Sequence, residues 1–219
     1  MTETPAAARG PEILYSDDSL VVCVKPAGVD SQRALPELLA ETLGGSAFCV
    51  HRLDREVGGV MVYARTSGAA AALSRAITAG ALEKEYLAVC EGTPDPPAGE
   101  MRDLLFHDPA KNKSYVVKRP RRGVREALLS YSLVEALPEL SLVRVRLFTG
   151  RTHQIRVQFA SRGLPLSGDA RYGAKTRGCI ALWSHALRFP HPESGETLSF
   201  TVPAPDAPPW THFSQKDAR

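Results

Sequence analysis

Apolar and polar positions change period several times along the chain, and the changes mark its elements. Glu12 to Lys25 (EILYSDDSLVVCVK) reads as two short strands around a Ser-Asp-Asp-Ser turn, stopped by Lys25-Pro26-Ala27-Gly28. Leu35 to Leu43 reads as a short helix, with Pro36 in its first turn and Gly44-Gly45 ending it. Ala47–Val50 and Val60–Tyr63 are short apolar runs. Ser67 to Gly80 (SGAAAALSRAITAG) has the clearest helical signature: Ser67 as cap, Ala and Leu inside, Gly80 at the end. Glu85–Val89 follows as a strand, and Pro94-Asp95-Pro96-Pro97 as a rigid loop.

The second half is strand-rich. From Leu142 to Phe148, Val143, Val145 and Leu147 alternate with Arg144 and Arg146, the pattern of a half-buried strand with a basic outer face. Gly150 breaks it, and Thr152 is expected to cap a helix running to Arg162, closed by Gly163. Cys179–Phe189 and Thr197–Val202 are further strands. Few strand pairs are separated by a long crossover helix, which predicts a mixed α/β (α+β) protein with a largely antiparallel mixed sheet and flanking helices. The expected organisation is a flexible N-terminal tail over 1–11, one domain over 12–205 and a C-terminal tail over 206–219.

Composition narrows the class. A hydrophobic content of 43% with 23% charged residues is that of an ordinary soluble globular chain. No run approaches the roughly 18 apolar residues of a membrane span, and the opening MTETPAAARGPE has neither the basic nor the apolar segment of a secretory signal. The four cysteines, Cys23, Cys49, Cys90 and Cys179, form no C-x-x-C pair. They read as reduced thiols, three of them in buried strands, and point to the cytoplasm. Neither a metal nor a cofactor is expected.

The net charge is only +3, but its distribution is uneven. Lys111 to Arg125 holds seven Lys and Arg and no acid, and Leu140 to Gly168 holds Arg144, Arg146, Arg151, Arg156 and Arg162, again without an acid. These runs are either plain solvated surface or one positive face suited to a phosphate backbone.

The densest chemistry is His51-Arg52-Leu53-Asp54, set between the two apolar runs and followed by Gly58-Gly59. One His and one Asp three apart make a poor metal site. An internal ion pair and a catalytic carboxylate both remain open. Glycines let a ligand or backbone approach closely, and a carboxylate kept ionised between apolar runs needs an arginine. On the expected helix from Thr152 to Arg162, His153 and Arg156 share a face, while Ile155 and Phe159 anchor another. A buried arginine calls for a carboxylate, and Asp54 is the obvious candidate.

Together these stretches resemble the RluA-type RNA pseudouridine synthases. HRLDREVGGVMVYART is similar to their HRLD segment, EKEYLAVCEG to their Lys-x-Tyr strand, and GRTHQIRVQFASRGLPLSGDARYG to their arginine motif. ILYSDDSLVVCVKPAGV is similar to their opening strand pair and Lys-Pro-x-Gly turn. The resemblance spans roughly 12–203 and implies the pseudouridine synthase catalytic fold with a central cleft, without the N-terminal RNA-binding module of many relatives.

It also implies roles. Asp54 would be the catalytic aspartate acting on the target uridine, Tyr86 the tyrosine packed against the base, and Arg156 the arginine paired with the aspartate. Arg52 would fill the space left by the flipped base, and Arg151 and His153 would join it in RNA binding. Flipping is physically required, because a stacked uridine does not expose its glycosidic bond. The substrate would be a stem-loop of ribosomal or transfer RNA, acted on by a monomer with no protein partner. Val57-Gly58-Gly59 stands where relatives often carry Thr-Ser-Gly, and Gln158 where they often carry histidine. Two rivals stand beside this reading. A glycoside or nucleoside hydrolase using Asp54 would want a second carboxylate, and an RNA-binding protein without catalysis would not need Asp54, Tyr86 and Arg156 intact.

Overall fold

The computed structural model describes residues 11–214; the expected N-terminal tail lies, but for its last residue, outside them. The described residues form a mixed α/β fold of three α-helices and eleven strands. They divide into two compact units, the first reaching to Glu83 and taking up Ser184–Val202, the second comprising Lys84–Trp183 and the segment from Pro203.

In the first unit, β1 (Glu12–Ser16) and β2 (Leu20–Lys25) form the expected hairpin, and β2 pairs antiparallel with β4 (Gly58–Ala64). The short β3 (Phe48–Cys49) pairs with one end of β4. All seven residues of β4 are buried, which is why it reads as an unbroken apolar run rather than an alternating one. α1 (Ala34–Leu43) buries Leu35 and Leu39. α2 (Ser67–Thr78) buries Ala69 and Leu73, and its cap is Thr66, one residue earlier than expected, whose Oγ1 accepts the Ala69 N–H at 3.1 Å. Gly80, at φ 73°, takes the left-handed position past the helix end.

In the second unit the strand order is β5 (Glu83–Glu91), β9 (Leu140–Leu147), β8 (Val124–Ala136), β6 (Ala98–Asp108), β7 (Lys113–Val117). The ladders joining them are antiparallel. β6, β7 and β8 carry no clear local signal in the sequence, because charged residues interrupt their alternation. β7 and β8 flank β6, so the basic connection 118–123 must cross it. Arg121 lies 4.6 Å over the Phe106 ring there.

α3 (Gln154–Ala160) is shorter than expected. Thr152 does not cap it: the preceding position is His153, in the left-handed region at φ 55°. Every residue from Gln154 to Phe159 is buried, so the helix is enclosed all round rather than amphipathic. β10 (Leu182–Pro190) starts later than expected and pairs with β11 (Thr197–Thr201). Residues 206–214, expected as tail, are partly anchored. Trp210 and Phe213 are buried in one apolar cluster with Leu87, Val89 and Leu142, because aromatic side chains gain most from leaving water. Cys23 and Cys90 are buried as expected, with thiols pushed up to about 12 by burial, whereas Cys49 is half-buried and Cys179 exposed.

Candidate active site

The HRLD segment is a loop between β3 and β4, and the first unit ties it down at several points. Ser31 Oγ donates to the Leu53 carbonyl at 2.9 Å and accepts the Leu53 N–H at 3.3 Å. The Gly28 N–H donates to the Arg55 carbonyl at 2.7 Å, and Arg55 Nε returns a bond to the Gly28 carbonyl at 2.8 Å. The Val57 N–H donates to the Asp54 carbonyl at 3.0 Å, closing a turn. His51 Nε2 accepts the Val62 N–H at 3.2 Å, holding the start of the loop against β4. Asp54 thus sits half-buried on a loop fixed on both sides, while Arg52 points into solvent.

Lys25 completes this scaffold. Its side chain is fully buried and Nζ donates to the carbonyls of Pro26 and Arg55 at 2.9 and 3.0 Å. Burial pulls its pKa down to about 8, against the upward pull of Glu56, Asp30 and Asp54. The Lys-Pro-x-Gly turn therefore reaches across to the carbonyl next to Asp54, a task its sequence position alone does not reveal.

Gly59 serves one of the two close approaches its sequence allows. A Cβ there would lie 2.3 Å from the Ser184 carbonyl oxygen, and its φ is 119°. The close approach the glycine permits is therefore to β10 backbone.

Tyr86 lies on β5, buried, opposite Val145 of β9. In the same unit α3 holds Arg156 and β7 lies beside it. Arg156 is 3% exposed and makes a two-pronged pair: Nε to Asp169 Oδ2 at 2.6 Å and Nη2 to Asp169 Oδ1 at 2.9 Å. The guanidinium also lies 5.3 Å over the Tyr172 ring. Buried carboxylate and guanidinium satisfy each other through this planar fork.

Asp169 is a carboxylate partner of Arg156 that the sequence reading did not name, although a signal existed. A buried arginine requires a carboxylate, and Asp169 is the first acid after Glu139 along the chain. Tyr172 was missed as well. Its hydroxyl meets His153 Nδ1 at 3.0 Å and accepts the Ser114 N–H at 2.8 Å, so it locks the left-handed His153 in place. His153 is buried, not presented at the surface. Arg151 is exposed, and its Nε donates to the Glu126 carbonyl at 2.8 Å. Gln154, not Thr152, closes the helix start: its Oε1 accepts the Arg151 N–H at 3.0 Å and the Thr149 hydroxyl at 2.8 Å.

Comparison with known proteins adds an independent line. Residues 19–161 match the family model described as RNA pseudouridylate synthase. An uncharacterized RNA pseudouridine synthase of Mycobacterium bovis is 34% identical, over 94% of this chain and 73% of its own length. Ribosomal large subunit pseudouridine synthase D of Neisseria meningitidis is 34% identical over 89% of this chain, which spans 58% of that protein. Among solved structures, human RNA pseudouridylate synthase domain containing 1 superposes with a TM-score of 0.79 over 94% of this chain and 88% of that one, at 23% identity. That likeness speaks for the fold.

Proposed function

The chain belongs to the RNA pseudouridylate synthase family, and we propose that it isomerises a uridine in structured ribosomal or transfer RNA through Asp54. As an isomerase of this family it breaks the N-glycosidic bond of uridine and rejoins the base through carbon-5. The observation that carries the role of Asp54 is the loop itself. The loop that carries the half-buried Asp54 is fixed on both sides of it, by Lys25 and Gly28 at the Arg55 carbonyl, by Ser31 at Leu53 and by His51 against β4, the preorganisation a group acting on a reacting centre needs.

In this reading Tyr86 packs against the target base, Arg156 is the arginine paired with the aspartate, and Arg52 enters the stack when the uridine flips out. Arg151 and His153 belong to the RNA-binding side of the same site, His153 by shaping the start of α3. Both compact units belong to a single catalytic domain over 12–205. Ribosomal RNA is favoured as substrate by the relatives named for the large ribosomal subunit, and the cytoplasm follows as the compartment. No metal or cofactor enters the proposed reaction, since nothing is oxidised and no group comes from a second substrate. Family membership sets aside the hydrolase and idle-binder readings.

Asp54→Asn keeps the shape of the side chain but supplies no carboxylate oxygen. Tritium release from carbon-5-labelled uridine in bulk RNA should fall below detection, while RNA affinity stays within about tenfold, or roughly 1.4 kcal/mol. Measurable pseudouridine formation by well-folded Asp54→Asn would overturn the assignment.

A further inference from the structure

Behind Tyr172, the second unit carries an open groove of about 570 Å3 between β7, α3 and the 3-10 turn Ala170–Tyr172. Its walls place cations beside rings. Lys113 Nζ lies 5.8 Å from the centre of the Tyr115 ring and 5.3 Å from that of Tyr172. The Tyr172 ring is set in advance, since its hydroxyl is engaged by Ser114 and His153. Arg171 Nη1 donates to the carbonyls of Lys111 and Asn112 at 3.0 and 3.1 Å, which ties the β6–β7 turn to the 3-10 turn. Small residues, Ala160, Ser161 and Gly173 among them, leave the groove open.

The charge of the segment that supplies β7 is one-sided. No acid occurs between Asp108 and Glu126 in the chain. The Asp108 carboxylate is taken up by its own turn, where it accepts the N–H groups of Ala110 and Lys111. A ring wall with a lysine and an arginine at hand suits a flat base carrying a phosphate. Single-stranded RNA is held in that manner, by stacking for the base and cations for the backbone. The geometry points to this groove as a second RNA site, which takes an unpaired nucleotide flanking the target uridine: base against Tyr115, phosphate at Lys113 and Arg171. The inference rests on the RNA-modifying function proposed above.

The test uses the full chain and a fluorescein-labelled oligouridylate 12-mer, with anisotropy titrations over a salt series. Each phosphate contact contributes roughly 0.7 to the slope for a single strand. Lys113→Ala should therefore weaken binding and flatten the slope by about that amount. Tyr115→Ala should weaken binding roughly tenfold with the slope unchanged, because stacking releases no counterions, and Tyr115→Trp should restore it. Thermal melting of each variant at the wild-type temperature establishes that folding is intact. Wild-type affinity and slope in both alanine variants would overturn the groove assignment. In that case an inactive Asp54→Asn would leave the isomerase reading standing. Conversely, a wild-type protein that releases no tritium from bulk RNA, yet loses oligouridylate binding on Lys113→Ala, would sink the catalytic reading and keep the groove.

Discussion

Asp169→Asn is the most informative single change in the second unit. Arg156 and Asp169 are 3% and 1% exposed, and their two contacts are 2.6 and 2.9 Å long. Asparagine preserves one acceptor but turns an N–H2 group toward the second guanidinium N–H, so a bond becomes donor against donor. It also removes a charge that offsets a buried cation. Breaking a buried pair from one side costs about 3–5 kcal/mol. The Tyr172 ring at 5.3 Å lies over the guanidinium before and after the change and does not alter this difference, so the loss is at least about 3 kcal/mol. For a chain of this size such a loss lowers Tm by about 6–12 °C. Urea denaturation followed by tryptophan fluorescence suits the question, because Trp183 and Trp210 both lie in the unit that carries the lesion. A companion variant, Arg156→Met with Asp169→Leu, removes both charges. It should be clearly more stable than Asp169→Asn, since apolar replacement of a whole buried pair is often neutral, and with Arg156 gone it should lack isomerase activity under the role proposed above. Two results would refute the reasoning: Asp169→Asn within about 0.5 kcal/mol of wild type, or a double variant as unstable as the single one.

Other expectations follow from particular contacts. Gly59→Ala would drive a Cβ to 2.3 Å from the Ser184 carbonyl oxygen, so it should cost more than about 4 kcal/mol and show as lost soluble yield; a normal urea midpoint would contradict the packing described. Asp17 is pushed upward by partial burial, but hydrogen bonds from Tyr15, Leu20, His191 and Ser19 outweigh this and hold it down at about 2. Its stabilisation is therefore complete above about pH 4 and is lost as pH falls toward 2. After discounting for solvent screening it amounts to about 1–2 kcal/mol, and Asp17→Asn should flatten the acid limb of a stability-versus-pH curve. Replacing Arg119 and Arg122, exposed on the connection between β7 and β8, with alanine should lower the salt slope of RNA binding by up to about 2 for duplex contacts; an unchanged slope would make them plain solvated surface.

Local pattern alone determined a good part of this protein. The β1–β2 hairpin, both early helices, β4, β5 and β9 are legible because their cues act within a few residues: alternation, an N-cap hydroxyl, a terminal glycine. Three motifs in order were enough to place the chain in its family. Tertiary structure decided what depends on contacts between distant segments. β6 to β8 are strands because each finds a partner, although charges blur their sequence pattern. Trp210 is core, not tail, because a cluster around Leu87 and Leu142 receives it. Gly59 is required by the backbone of β10, 125 positions away at Ser184. Arg156 takes Asp169 because the chain after α3 doubles back past Pro165 and delivers that carboxylate to the helix. Which acid meets a buried cation is a property of the path of the chain through space, and a one-dimensional pattern carries only the requirement that some acid must.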